Sequence, residues 1–243
     1  MSDGEGGKKA GLSGWGALLT GAAGGALATV VLAVAAVQGG WADRLVRQAM
    51  IANPTILVET ADALRDNQYA PVLAANRRAI ETAFGSSWEG ARNGDVTLVE
   101  FYDYACGYCK ASLPVIDRLV KEDPKLRVVY REFPILGPDS EAAARLALVA
   151  SKSGRFIAFH DALYAAGRPS QATLAQAAAA AGLPAAIPSS AEIDGELRKN
   201  FQLAQQLGAT GTPLFIVGDK VLNGAVGYEA LKKAIAEARE KRG

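Results

Sequence analysis

Cys106 and Cys109 are the only cysteines in a chain of 243 residues. They stand three apart, where the apolar run "VTLVEFY" gives way to a helical pattern. In a helical first turn that spacing puts the two Cα atoms about 5–6 Å apart, within the reach of a disulfide. A helix N-terminus favours an anion, because unpaired backbone N–H groups and the helix dipole converge there. The thiolate is also the reactive form of cysteine. Cys106 is therefore expected to be an exposed nucleophile, with Cys109, one turn further in, as the more buried resolving thiol. The pair reads as a disulfide made and broken in turnover. The rival readings are a metal site shared between chains and a passive staple. One histidine and two cysteines cannot close a four-ligand zinc site in one chain without carboxylates, and the count excludes a disulfide-stapled scaffold.

Two further places attract chemistry. Glu100 interrupts an apolar strand pattern six residues before Cys106. A buried carboxyl there would have a raised pKa and could relay the proton that the resolving thiol must lose; otherwise the strand twists to expose it, or a lysine pairs with it. Thr212-Pro213 opens the run "LFIV". An X–Pro bond is where a cis peptide can occur, and a cis turn would leave the Thr212 backbone free to pair with a substrate strand. His160, the single histidine, lies among Phe156, Phe159 and Leu163 at helical spacing and reads as packed. Tyr102 and Tyr104 also read as packing, whereas Tyr108 is expected to be exposed.

These groups need elements to hold them. Residues 96–102 form a buried strand, 105–122 a helix that Pro114 is expected to kink, and 126–131 a second strand. Residues 139–207 are helical and alanine-rich, broken once at Gly182 and Pro184, with Ser189 and Glu192 as a capping box. A hairpin follows, 214–217 and 221–222 around Gly218-Asp219, and an amphipathic helix over 228–239. The order predicts an α/β sheet with a helical block inserted after its second strand, at about 138–207.

Upstream, residues 15–37 carry no charge. As a helix they would rise about 35 Å at 1.5 Å per residue, enough for a hydrocarbon core of about 30 Å. Lys8 and Lys9 precede them, which places residues 1–14, a disordered tail, in the cytoplasm and the rest of the chain outside. The rival is a cleaved signal peptide, with Ala33-Val34-Ala35 as a cleavage site. Either way the body is exported, where disulfides persist. Residues 41–84 read as a helical stalk that Pro71 kinks or divides. Its narrow apolar stripe must be covered, by self-association or by folding back on its own domain. Residues 85–94 read as a linker. The net charge of +1 gives no sign of nucleic-acid binding.

The segments "EFYDYACGYC", "FHDALY" and "GTPLFIVGD" together resemble the DsbA-like thioredoxin-fold thiol–disulfide oxidoreductases of bacterial envelopes, over residues 94–240. The upstream "NPTILVETADALRDNQ" resembles the amino-terminal helical segment of the ScsC and Com1-type branch, some of whose members oligomerise through it. The resemblance implies a thioredoxin fold with an inserted helical domain. It makes Cys106 the nucleophile, Cys109 the resolving cysteine, Pro213 a cis-proline with Thr212 facing the dithiol, and Glu100 the buried acid. It implies exported proteins as substrates, a membrane redox partner that resets the dithiol, a catalytic domain in the periplasm and no cofactor. Gly107-Tyr108 departs from the Cys-Pro-His-Cys of the strongly oxidising type. Without that histidine the thiolate loses a stabilising group and the disulfide becomes less oxidising. Threonine before the proline points the same way, toward isomerase or reductase work. The alternatives are a DsbA-like oxidase, a copper-handling thiol protein and a membrane-tethered scaffold.

Overall fold

The computed structural model describes residues 40–184, 186 and 190–241. The chain divides into two units, residues 1–62 and 63–243. The expected membrane segment at 15–37 and Ser189 lie outside the described residues. Among the described residues no helix is long and apolar enough to cross a membrane.

Helix α1 (Trp41–Ala52) buries none of its residues. Trp41, Leu45, Val46 and Ile51 are exposed along it. Helix α2 (Thr55–Glu81) runs through Pro71, so that proline does not divide it. Proline costs an interior helix a hydrogen bond and a clash. Here the turns beyond it bury Leu73 and Ile80, which offsets that loss.

The sheet follows from one strand that is apolar on both faces. Every residue of β2 (Val96–Tyr102) is buried, as expected for a strand covered above and below. The remaining strands are β1 (Trp88–Gly90), β3 (Leu126–Glu132), β4 (Leu214–Val217) and β5 (Lys220–Asn223), in the spatial order β1-β3-β2-β4-β5. β2 pairs in parallel with β3 and antiparallel with β4. Glu100 therefore sits mid-sheet, opposite Tyr130 on one side and Phe215 on the other. Part of the expected linker is thus strand: Trp88 of β1 pairs with Val129. Three partly exposed residues carry no alternation to read, and Trp88 is held instead under the guanidiniums of Arg92 and Arg127.

Helix α3 (Gly107–Glu122) also runs unbroken through its proline, Pro114. Between β3 and β4 come α4 (Pro138–Lys152), α5 (Phe156–Ala166), α6 (Gln171–Ala180) and α7 (Ala191–Gln206); α8 (Gly227–Glu240) closes the chain. The block breaks more often than the single break expected. Gly154 and Gly167 take positive φ of 72° and 107° at the extra breaks, a conformation nearly free for glycine alone. Ser190 caps α7, its hydroxyl accepting from the Ile193 N–H at 3.5 Å.

The sheet separates two cores. One gathers Leu98, Tyr102, Val128, Tyr130 and Phe215 with both cysteines, α3, α8 and the inserted helices α4–α6. The other joins Val99, Phe101, Val129 and Ile216 to α2 and α7. Arg131 of β3 enters this second side, 1% exposed. Its guanidinium donates to the last carbonyls of α2, including Ile80 at 2.8 Å, and to Glu196 and Asn200 of α7.

Candidate functional site

The end of β2 and the start of α3 place the two thiols. Cys106 is the N-cap of α3, with extended backbone at φ −82° and ψ 117°. Its N–H donates to the Asp103 carbonyl at 3.0 Å and its carbonyl accepts from Lys110 at 3.2 Å. Its sulfur thus stands at the end of the helix where the N–H groups point outward. Both cysteines are free thiols. Cys106 is 8% exposed and Cys109 0%. The order of exposure is as expected, but Cys106 is recessed rather than open, while Tyr108 between them is 69% exposed.

Thr212 and Pro213 close over the first sulfur. The Thr212–Pro213 peptide is cis, and the Cys106 thiol donates to the Thr212 carbonyl at 3.3 Å. Pro213 is buried, and its own carbonyl accepts from the Gly224 N–H at 2.8 Å, tying the turn to the end of β5.

Beneath the thiols lies Glu100. It is buried, and its Oε1 has no hydrogen-bond partner. Burial first, then the charges of Glu89 and Cys106, raise its pKa well above the ordinary carboxylate range. The Cys109 thiol is pushed up for similar reasons, burial first and the Glu100 charge second. Two groups that each resist ionisation beside the other form a pair that can hold one negative charge and pass a proton between them. The sequence-derived residues Cys106, Cys109, Thr212, Pro213 and Glu100 therefore converge on one place.

A family model described as "DSBA-like thioredoxin domain" matches residues 97–236, more than half of the chain. The chain belongs to that family. Its thioredoxin-like α/β fold has solved relatives. A periplasmic thioredoxin-like protein from Salmonella enterica serovar Typhimurium is 30% identical, with a TM-score of 0.62, over 68% of this chain and 95% of that one. Proteus mirabilis ScsC in a transitional conformation is 29% identical, with a TM-score of 0.65, over 85% of this chain and 97% of that one. The chain is also 31% identical over 160 residues to the Na(+)/H(+) antiporter NhaA 3 of Salinispora tropica. That match takes in 61% of this chain, which spans only 24% of the antiporter's length.

The DSBA-like domain holds its dithiol with groups that sequence reasoning passed over. Asp103 is buried, and its carboxylate accepts from the Ala105 N–H at 2.8 Å and from Ile135 and Leu136 at 2.8 and 2.9 Å. It pins the loop before Cys106 to the loop after β3. Its signal was an Asp bonding the N–H two residues on, an Asx turn. Glu132 ends β3 buried, accepts from the Tyr102 hydroxyl, and has a pKa raised by burial well above the ordinary range. The Tyr102 and Tyr104 hydroxyls lie 3.0 Å apart, and the Tyr104 hydroxyl is 3.1 Å from His160 Nδ1. His160 is packed as expected, 2% exposed among Tyr102, Tyr130, Phe156 and Tyr164. Burial lowers its pKa to about 3, so its ring is neutral.

Proposed function

We propose that the chain is an envelope thiol–disulfide oxidoreductase acting on exported proteins through Cys106 and Cys109, inclined to isomerase or reductase work. The observation that carries this reading is the Cys106 thiol at a helix N-cap, 3.3 Å from the Thr212 carbonyl, above a buried Glu100 with no hydrogen-bond partner for Oε1.

In the reducing direction, the Cys106 thiolate attacks a client disulfide. A Cys106–client disulfide forms, and the client's other sulfur leaves as thiolate. Glu100, whose raised pKa keeps it protonated in much of the population, first loses its own proton to solvent. Cys109 then gives its proton to the Glu100 carboxylate and attacks the Cys106 sulfur. The Cys106–Cys109 disulfide forms and the client's second sulfur leaves, so two electrons have passed to the client. If the freed client thiolate first attacks another client disulfide, the thiolate displaced there attacks the client sulfur bonded to Cys106. A rearranged client disulfide forms, Cys106 leaves as thiolate and the dithiol is regenerated. The Thr212 carbonyl beside the sulfur is placed to align a client backbone in extended form.

Gly107-Tyr108 between the cysteines and Thr212 before Pro213 support the inclination away from strong oxidation, since nothing there gives the reduced form the extra stabilisation a strong oxidant needs. The periplasmic relative supports an exported setting for the domain, with residues 15–37 as the anchor or cleaved signal and a membrane protein as the partner that resets the dithiol. The likeness to ScsC extends over 85% of the chain, beyond the family domain. With the exposed apolar side chains of α1, it supports self-association through residues 41–84.

The decisive experiment traps the intermediate. Cys109→Ser should accumulate a Cys106–client disulfide, visible on a non-reducing gel and released by dithiothreitol. Cys106→Ser should show none. Insulin reduction and scrambled-ribonuclease refolding by the wild type then separate reductase from isomerase work. Absence of adducts together with absence of turnover overturns the reading.

A further inference from the structure

A cavity of about 320 Å³ opens on the flank of α3, and Glu89, Asp117 and Asp161 bring three carboxyls to it. Lys110 at its edge makes no ion pair among those found in the described residues. The three acids feel one another: after burial, Asp117 and Asp161 push Glu89 up, and Asp117 does the same to Asp161. His160 lines the same cavity. Its Nδ1 is engaged by Tyr104 at 3.1 Å, while its Nε2 is buried and has no hydrogen-bond partner. An unpaired buried polar atom costs about 1–3 kcal/mol, so a ligand atom that satisfied it would be favoured. Among the described residues no group of three or more His, Cys, Asp or Glu is placed to hold a metal ion. An organic cation suits the lining better. Its N–H groups can bond the carboxylates and Nε2, and its methylenes can lie on Leu113 and Ile157 in the wall.

We propose that this cavity binds the ammonium or guanidinium head of a lysine or arginine side chain belonging to the polypeptide whose sulfur exchanges at Cys106. The client part of the assignment rests on the thiol–disulfide reading above. The cation is selected by three acidic side chains against one basic one and by the free Nε2. With the imidazole proton on Nδ1 and donated to Tyr104, Nε2 offers a lone pair. The client is selected by position. Lys110, Leu113 and Asp117 follow Cys106 at intervals of four, seven and eleven residues, one face of a helix. They lie about 6–17 Å along it at 1.5 Å per residue. An extended peptide covers that distance in about two to five residues at 3.3 Å each. A basic residue at that remove from a client cysteine would reach the cavity while its sulfur is bonded to Cys106.

The test uses the full chain and two heptapeptides. Each has a cysteine carrying 2-nitro-5-thiobenzoate and either lysine or norleucine three positions away. Attack by the Cys106 thiolate forms the Cys106–peptide disulfide and releases the coloured thiolate. The lysine peptide should react about tenfold faster at low salt. The ratio should fall as salt screens the charges, and it should approach one in the Asp117→Asn/Asp161→Asn double variant. Equal wild-type rates, or a ratio unmoved by the double substitution, overturn the proposal. A second readout does not need sulfur exchange. Because the chain has a single histidine, the imidazole 15N spectrum reports His160 alone. A cysteine-free lysine peptide should shift Nε2 and its norleucine twin should not. If Nε2 shifts but neither thiobenzoate peptide reacts, the cation site stands and the sulfur reading falls. If cadaverine shifts Nε2 and the lysine peptide does not, the cavity takes a free amine and the client assignment is overturned.

Discussion

At the scale of single residues, Glu100 links chemistry to stability. Its pKa is raised in the folded chain. Below about pH 4.5 the carboxyl is protonated in both states and contributes no pH dependence. Above that the unfolded chain ionises while the folded chain holds the proton, so wild-type stability falls as pH rises toward the raised value. Glu100→Gln removes that slope. Its stability relative to wild type should therefore grow between pH 4 and pH 7 in urea titrations of the dithiol form. The same substitution should slow resolution of the Cys106–client disulfide by about 10²-fold or more at neutral pH, the usual worth of a positioned proton acceptor. His160 carries the opposite sign. Its pKa falls from 6.5 to about 3, so the unfolded state takes up a proton first as pH drops. Stability should decline by about 1.4 kcal/mol per pH unit between those values, and His160→Asn should flatten the decline.

At the scale of elements, the Arg131 guanidinium joins β3 to the end of α2 and to α7. Arg131→Met should cost about 3–5 kcal/mol in denaturant unfolding, because the terminal carbonyls of α2 lose their donor and the buried Glu196 keeps only the half-exposed Lys199, at 3.2 Å, as a partner. Adding Glu196→Leu should recover part of it, since the stranded charge is then gone. The strand β2, the helix α3 and the hairpin were legible in the sequence because each has a strong local pattern: seven apolar-compatible residues, an apolar helical stripe, a Gly-Asp turn. Glu100, Thr212 and Pro213 were legible because each breaks or opens such a pattern. What stayed hidden was decided by long-range pairing. β1 is too short for periodicity and exists because β3 offers it an edge. Asp103 and Glu132 look like surface acids until the chain closes over them. The breaks at Gly154 and Gly167 were written in glycine, but the alanine-rich surroundings masked them. Pro71 does not divide α2, because local propensity is overridden where a helix face packs.

At the scale of the whole molecule, α1 displays Trp41, Leu45, Val46 and Ile51 to solvent. A run of this kind marks an interaction surface more often than a soluble monomer tolerates. Residues 40–243 should sediment as an oligomer, and Leu45→Glu with Ile51→Glu should shift the mass toward the monomer. A wild-type monomer at micromolar concentration would remove the self-association proposal. Charge reversal on α1 should leave the release of thiobenzoate by Cys106 intact, since that chemistry belongs to the other unit.

The position of β2 between two ladders has one more consequence. Its amides are paired with β3 along one side and β4 along the other, so no fraying of a sheet edge can release them. In heavy water they should be among the last protons to be replaced by deuterium, requiring global opening of the fold. The peptide N–H groups of Thr210 and Gly211, outside any strand, should label far sooner.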